Sequence, residues 1–521
     1  MTIFDFNVAI GRAPHFPGGF DSAGALAAEM QRLRIDAALV YQPLAVHSDV
    51  TLANSLLSQA VASHDHLHAC WAAAPSALAA APAEWVKEAV ESGARAIRLF
   101  PIHGWPLESG TPPLFDVLEA EGIPLLLDFD SPDPAADKPI PWRSVGEIAA
   151  QHPRLQIVVL GARGPDVLDA MLALRGVQNL FLETHGLDFP DALAFFVAHG
   201  LGDRLIFGTG APFYAGEDAV HALVQAGLKS ADFHAIASAT ARRLLGLTDL
   251  EAVSRQSLQP FRRASGLIVD VDAHGGAFAA TPVATQVSSD VVTTMYRCGV
   301  QKLVIGSLAA VYGETRAGNQ QTIDLLKQFP EHLHGYASVN PHYAGEAVAE
   351  LERCFKESEN FAGIEVDGRV HGLPLDAPGY EGTLAFAQAR GVPVLAHESG
   401  EEDWDDLASR FPEVSFIIEG MIDPFDPRDA DHLAVVRQHP NLYVALTGLV
   451  RWRGALAQLV KLAGAHKVLF GSGFPARDLA HAVGGIQLSE LNSIERVDIS
   501  GGNALRIFKT IKPLEQEIYQ G

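Results

Sequence analysis

Phe207-Gly208-Thr209-Gly210-Ala211-Pro212 returns 263 residues later as Phe470-Gly471-Ser472-Gly473-Phe474-Pro475. Working outward from this pair, the rest of the chain repeats too. Phe4-Asp5-Phe6-Asn7 returns as Val269-Asp270-Val271-Asp272 and Asn54 as Asn319, both 265 residues on. His66-Leu67-His68 returns as His332-Leu333-His334 and Pro75 as Pro341, both at 266. Ile123-Pro124-Leu125-Leu126 returns as Val392-Pro393-Val394-Leu395 at 269. The order is kept and the shift hardly drifts, so the chain is a tandem duplication. At 521 residues it holds two modules, each of about 250 residues, the size of an ordinary (β/α)-barrel. The seam is expected between Thr248 and Ser265, where Ser254 to Arg263 is polar and carries Pro260. That gives domains at 1–255 and 265–521.

Within each copy, short apolar runs alternate with longer amphipathic stretches. In the first, the runs are Ile3 to Val8, Ala37 to Val40, Ala69 to Ala72, Ala96 to Leu99, Leu125 to Asp128, Ile157 to Leu160, Leu180 to Glu183 and Leu205 to Phe207. Pro82 to Ser92 and Ala219 to Ala226 read as helices by their apolar spacing. Strand–helix alternation implies a parallel sheet, and eight such units imply a closed barrel. The fold class is α/β, with two tandem (β/α)8 barrels. An open doubly wound sheet is the rival, but no Gly-rich dinucleotide fingerprint follows a first strand.

Composition excludes several function classes. Apolar residues make up 48% and charged residues 19%, a balance of buried cores rather than disorder. The net charge of −24 repels polyanions, so neither nucleic acid nor an anionic membrane surface is an expected partner. Cys70, Cys298 and Cys354 are scattered and odd in number, which implies neither a disulfide framework nor a thiolate zinc site. The opening Met1-Thr-Ile-Phe-Asp-Phe-Asn lacks the build of a signal peptide, and no apolar run is long enough for a membrane span. A cytoplasmic location is the expectation.

Four features carry a resemblance. They are the opening from Asp5 to Gly11, the fifth-strand Gly122-Ile123-Pro124-Leu125-Leu126 with its echo, the eighth-strand Phe470-Gly471-Ser472-Gly473-Phe474-Pro475, and the closing Asn503-Ala504-Leu505-Arg506-Ile507-Phe508. Each copy resembles the amidohydrolase-related family that includes the aminocarboxymuconate-semialdehyde and resorcylate decarboxylases. The resemblance implies a metal held by a His-x-His pair on strand 1, His on strands 5 and 6, and Asp on strand 8. Three or four such N/O ligands leave a position open for water or substrate.

Both copies depart from that pattern. In the first, the five positions read Asn7, Ala9, Asp128, Gly161 and Gly210. One good ligand does not hold a divalent ion, so no metal is expected there. Asp128 reads as the ion-pair partner of an arginine, or, with Arg98 on strand 4 and Arg163 after strand 6, as part of a grip on a substrate carboxylate. His185 reads as a satisfied polar residue. In the second copy the resemblance implies Asp272, His274 and His397 as metal ligands, with Glu365 on strand 4 a fourth ligand or a base. An acidic residue first in the strand 1 pair is similar to the decarboxylase branch. The strand 6 position is Gly420, or Glu419 with a slip of one residue. Glu398 and Glu419 are further candidates for the base, and His371 reads as a solvated loop residue. Strand 8 offers Gly473 where the family has Asp, as Gly210 does in the first copy; glycine admits close approach of a ligand to the backbone.

Two functions follow. One is a hydrolase or non-oxidative decarboxylase acting on a small carboxylate or carbonyl substrate, with zinc or manganese in the C-terminal barrel. The other is a small-molecule-binding or scaffold pseudoenzyme with two degenerate barrels. The two barrels are expected to pair with each other, and a homo-oligomer stays open.

Overall fold

Runs such as Ile157-Val158-Val159-Leu160 are apolar at every position, so they are stable only when both faces of the strand are covered. In the computed structural model each copy meets that demand by closing its strands into a ring. Residues 2–13, 16–73, 81–101, 107, 113–130, 139–247, 266–275, 288–397, 399–400, 402–420, 423–447 and 452–512 are described. The expected seam lies outside them, as does Glu398. The chain divides into two compact units that part near Phe261.

The first ring is built from β1 (Phe4–Ala9), β2 (Ala37–Tyr41), β3 (Leu67–Ala72), β4 (Ala94–Leu99), β5 (Leu125–Asp128), β6 (Ile157–Leu160), β7 (Leu180–Glu183) and β8 (Leu205–Ile206). All neighbours run parallel, in sequence order. The edges meet through Phe6 N–H to Phe207 O at 2.9 Å and Ala9 N–H to Ala211 O at 2.7 Å. A short antiparallel hairpin (Gly11–Ala13 with Phe16–Phe20) follows β1.

The second ring repeats this with β9 (Val269–Gly275), β10 (Lys302–Ser307), β11 (Leu333–Ser338), β12 (Phe361–Asp367), β13 (Val394–His397), β14 (Phe416–Glu419), β15 (Leu442–Ala445) and β16 (Val468–Leu469). Val271 N–H to Phe470 O at 2.9 Å and His274 N–H to Phe474 O at 2.7 Å bring its edges together. Each barrel interior is filled by inward side chains, among them Phe4, Phe6, Leu39 and Leu126 in one and Val269, Val271, Tyr336 and Leu395 in the other. No helix among the described residues is long and apolar enough to cross a membrane.

The strand 6 register differs from the first choice made on sequence. Asp128 pairs with Leu160, and His397 with Glu419. The mouth position is therefore Leu160 rather than Gly161 in the first copy, and Glu419 rather than Gly420 in the second. The reason is steric. Gly161 has φ +87°, and a Cβ there would lie 2.5 Å from the Asp130 backbone nitrogen. The chain has already turned out of the strand at that residue.

Candidate metal centre and its counterpart in the first barrel

Two devices fix the first strand of each barrel at its mouth. Asp5 Oδ1 accepts from Asn7 N–H at 3.1 Å and Thr209 N–H at 2.9 Å, and Oδ2 from the Thr209 hydroxyl at 2.6 Å. Asp270 does the same with Asp272 N–H at 3.1 Å, Ser472 N–H at 3.0 Å and the Ser472 hydroxyl at 2.5 Å. Burial, opposed by these bonds, raises both carboxyls to about 7. In addition, the ladder slips between Asp5 and Val8 and between Asp270 and Ala273. Such irregularities re-aim the residues they contain, here Asn7 and Asp272.

In the second barrel, Asp272, His274 and His397 converge. One ligand atom from each lies within 4.8 Å of the others. Glu365, on β12, sits beside them: His274 Nε2 donates to its Oε1 at 2.6 Å, and His397 Nε2 to the same oxygen at 3.0 Å. On the other side of the ring, His397 Nδ1 donates to Glu419 Oε2 at 2.8 Å. Arg369 Nη2 stands 3.1 Å from that same carboxylate oxygen. Thr447, two residues past β15, gives its hydroxyl to Asp272 Oδ2. The other oxygen, Asp272 Oδ1, is buried and has no donor among the described residues.

These groups floor a cleft of about 400 Å³. Leu308, Val311, Tyr312 and Val370 form an apolar wall, and Arg369 is its one arginine among the described lining residues. Burial alone would strip the proton from His397. Its bonds to Glu365 and Glu419 prevail and hold it well above the usual imidazole value. His274 is raised in the same sense, burial being outweighed by the Glu365 charge. Glu365 is held well below the carboxylate range because the two imidazoles outweigh its burial. The carboxylates around the two imidazoles thus favour their protonated forms. Burial raises the Asp272 carboxyl above its usual value, and a buried carboxyl oxygen with no donor among the described residues, next to two imidazoles, is the donor set a divalent ion takes. The residues present fit a metal.

Thr447, Arg369 and the Asp5/Asp270 pins were not recognised from sequence as parts of the site. Aligning the copies at 262 residues would have flagged Thr447, because it then falls opposite His185. Arg369 carries no such signal; it enters the cleft because the short helix Gly368–His371 turns back over the mouth. His371 is half-buried rather than solvated. Its Nδ1 lies 3.1 Å from the Tyr380 hydroxyl, and it does not line the cleft.

In the first barrel the corresponding strand ends hold a different set. Arg98 is 2% exposed. It donates to Asp128 Oδ2 from Nε at 2.9 Å and from Nη2 at 2.6 Å, and to Asn7 Oδ1 from Nη2 at 3.0 Å. Asn7 Nδ2 in turn donates to Glu183 Oε2 at 3.1 Å. His185 Nδ1 is bonded to Glu183 and its Nε2 lies 3.4 Å from Asp130 Oδ2. Tyr214 and Arg163 reach Asp130 Oδ1 at 2.8 and 3.1 Å. His185 is buried, which opposes its charge, but Glu183 and Asp130 overcome this and raise it to about 10. Sequence-expected Arg98, Asp128 and Arg163 therefore share one network, in which Arg98 is bound to Asp128 and Arg163 to Asp130.

Glycine at the strand 8 position has a structural cause in both copies. Gly210 and Gly473 have φ +66° and +71°, and a Cβ at either would press on side chains nearby, Tyr214 just after strand 8 and His185 after strand 7 in one, and Thr447 after strand 7 in the other.

A family model described as amidohydrolase matches residues 12–247 and again residues 269–510. No curated protein matches the chain. Solved structures similar to this chain include 5-carboxyvanillate decarboxylase from Sphingomonas paucimobilis, at 14% identity, TM-score 0.38, covering 47% of this chain and 99% of that one. A 2,6-dihydroxybenzoate decarboxylase from Rhizobium is similar at 16% identity, TM-score 0.38, with coverage of 47% and 99%. A dihydroxybenzoic acid decarboxylase from Polaromonas sp. JS666, solved with manganese and 2-nitroresorcinol, is similar at 18% identity, TM-score 0.38, with coverage of 48% and 98%.

Proposed function

The chain belongs to the amidohydrolase family, and from that premise we propose that its C-terminal barrel is a divalent-metal-dependent hydrolase or non-oxidative decarboxylase acting on a small carboxylate or carbonyl substrate. The observation that carries this reading is the convergence of Asp272, His274 and His397, with the buried Asp272 Oδ1 lacking a donor among the described residues. These three residues would hold a zinc or manganese ion, with Glu365 as fourth ligand or base. The bound ion supplies Lewis acidity, polarising a substrate carbonyl or carboxylate.

The remaining chemistry belongs to the chain. Holding an ion requires the imidazoles to release protons from the nitrogens that face it. Glu419, through Nδ1, keeps the His397 ring turned so that Nε2 faces the centre. Thr447 holds Asp272 by one oxygen and leaves the other aimed inward. Glu365 is ionised and touches both imidazoles, so it is placed to accept a proton and return it. That role compensates for Gly473, where the family pattern has a carboxylate. Arg369 would pair with a substrate carboxylate, and the wall of Leu308, Val311 and Tyr312 would exclude water. Glu398 remains a candidate base outside the described residues.

Elemental analysis of the purified protein tests the reading. About one zinc or manganese per chain is expected, falling on H274A or H397A substitution. Metal-free protein whose thermal midpoint ignores a chelator would sink it. The second reading, a binding protein without turnover, is favoured by the glycine at 473; it predicts the metal and a bound ligand but no product from any carboxylate or ester offered.

A further inference from the structure

The two mouths correspond strand by strand. Asn7 stands where Asp272 stands, and Asp128 where His397 stands. Arg98 occupies the place of Glu365: each lies on the fourth strand, paired with the residue two before the end of the fifth, Leu126 or Leu395. In the second barrel that place is anionic and faces two imidazoles. In the first it is a guanidinium whose Nη2 bonds to Asp128 and Asn7, the residues at two of the three candidate ligand positions. The far side of the guanidinium lies 3.7 Å from the centre of the Tyr41 ring, a face that favours a cation.

We propose that the first barrel carries its cation within its own chain: the Arg98 guanidinium takes the place of the metal ion, and the N-terminal mouth is a charge-closed, metal-independent counterpart of the C-terminal one. Arg98 and Asp128 then serve each other, the ion-pair reading of Asp128 from sequence, instead of gripping a substrate carboxylate, the other reading.

Three further facts bear this out. The donor set does not suit a metal ion: Asn7 and Asp128 are already occupied by Arg98, and Glu183 by Asn7 and His185. The charges close, with Arg98, His185 and Arg163 facing Asp128, Glu183 and Asp130. Glu183 and Asp130 hold His185 toward the imidazolium, raised to about 10. Removing Arg98 would leave three carboxylates against two cations at buried strand ends, a deficit that an added divalent ion can fill.

The test uses the full chain with the second barrel's ligands removed (H274A/H397A), so that any metal response comes from the first. Arg98, R98A and R98K forms are compared by thermal unfolding and manganese content, with and without millimolar Mn²⁺. R98A is expected to lower the first midpoint by on the order of 10 °C, and Mn²⁺ to restore at least half of that while about one ion binds per chain. The parent and R98K should bind no Mn²⁺ and show no shift. An R98A chain as stable as its parent, or one that falls and is unmoved by Mn²⁺, overturns the proposal. If R98A does not accumulate, R98K decides alone: a folded, Mn²⁺-indifferent R98K supports the assignment, and one that takes up Mn²⁺ overturns it.

Discussion

Two residues show how burial tunes the barrel mouths. Asp5 is raised to about 7 in the fold, while an unfolded aspartate titrates near 4. Between those values the folded chain holds one proton more than the unfolded chain, so stability falls as pH rises from about 4 to about 7 and then levels. The full effect is on the order of 4 kcal/mol. Asp5→Asn mimics the protonated acid and should shrink the difference in thermal midpoint between pH 5 and pH 8; an undiminished difference would show that Asp5 is ionised throughout. Gly473 makes the converse case. Restoring the family carboxylate with Gly473→Asp places a side chain at φ +71° with its Cβ 2.8 Å from Thr447 Cγ2. A loss of about 1–3 kcal/mol is expected in denaturant titration. Part of it should return in G473D/T447A, and a fully stable single variant would remove steric exclusion as the reason for glycine.

At the scale of elements, the same side chain repeatedly solves the same backbone problem. Asn179 donates to the carbonyls of Ala149, His152 and Leu155 at 3.0, 2.8 and 2.7 Å. Asn441 does so with Ala408, Phe411 and Val414 at 3.2, 3.2 and 3.1 Å. Each ties the end of a helix to the entry of strand 7. Asn179→Ala and Asn441→Ala should each cost about 2–3 kcal/mol, because buried carbonyls lose their donors. The two effects should add, since each side chain acts within its own barrel; a coupling above about 1 kcal/mol in the double variant would contradict that. The π-turns Ala235–Ala239 and Asp498–Gly502 are another shared device, freeing Ile236 O and Ile499 O to accept from Phe207 and Phe470 at 3.0 and 3.1 Å.

For the whole molecule, duplication has produced one barrel whose mouth is suited to a metal and one whose mouth is closed by an arginine. Calorimetry of the metal-loaded chain should therefore show a transition that drops on chelation and another that does not. The shift corresponds to about 2.7 kcal/mol when free ion is a hundredfold above its Kd. In H397A both transitions should ignore the chelator. A chelator that lowered both would mean that the first barrel also depends on metal.

The sequence by itself determined the duplication, the barrel class and the candidate ligands Asp272, His274 and His397. The duplication and the barrel class follow from repeats and periodicity, which are local and survive in one dimension, whereas the candidate ligands are what the family resemblance implies. A second repeat, Asn179-Leu180 against Asn441-Leu442, was equally legible and marks a helix–strand tie. Only the tertiary structure decided that Glu419, not Gly420, faces the cleft, since a one-residue change of register moves a side chain to the opposite face. It alone brought Arg369 and Thr447 to the mouth, and it alone set Arg98 against Asn7 and Asp128. Those contacts join residues from 30 to 175 positions apart, and closing the ring of strands is what makes them neighbours.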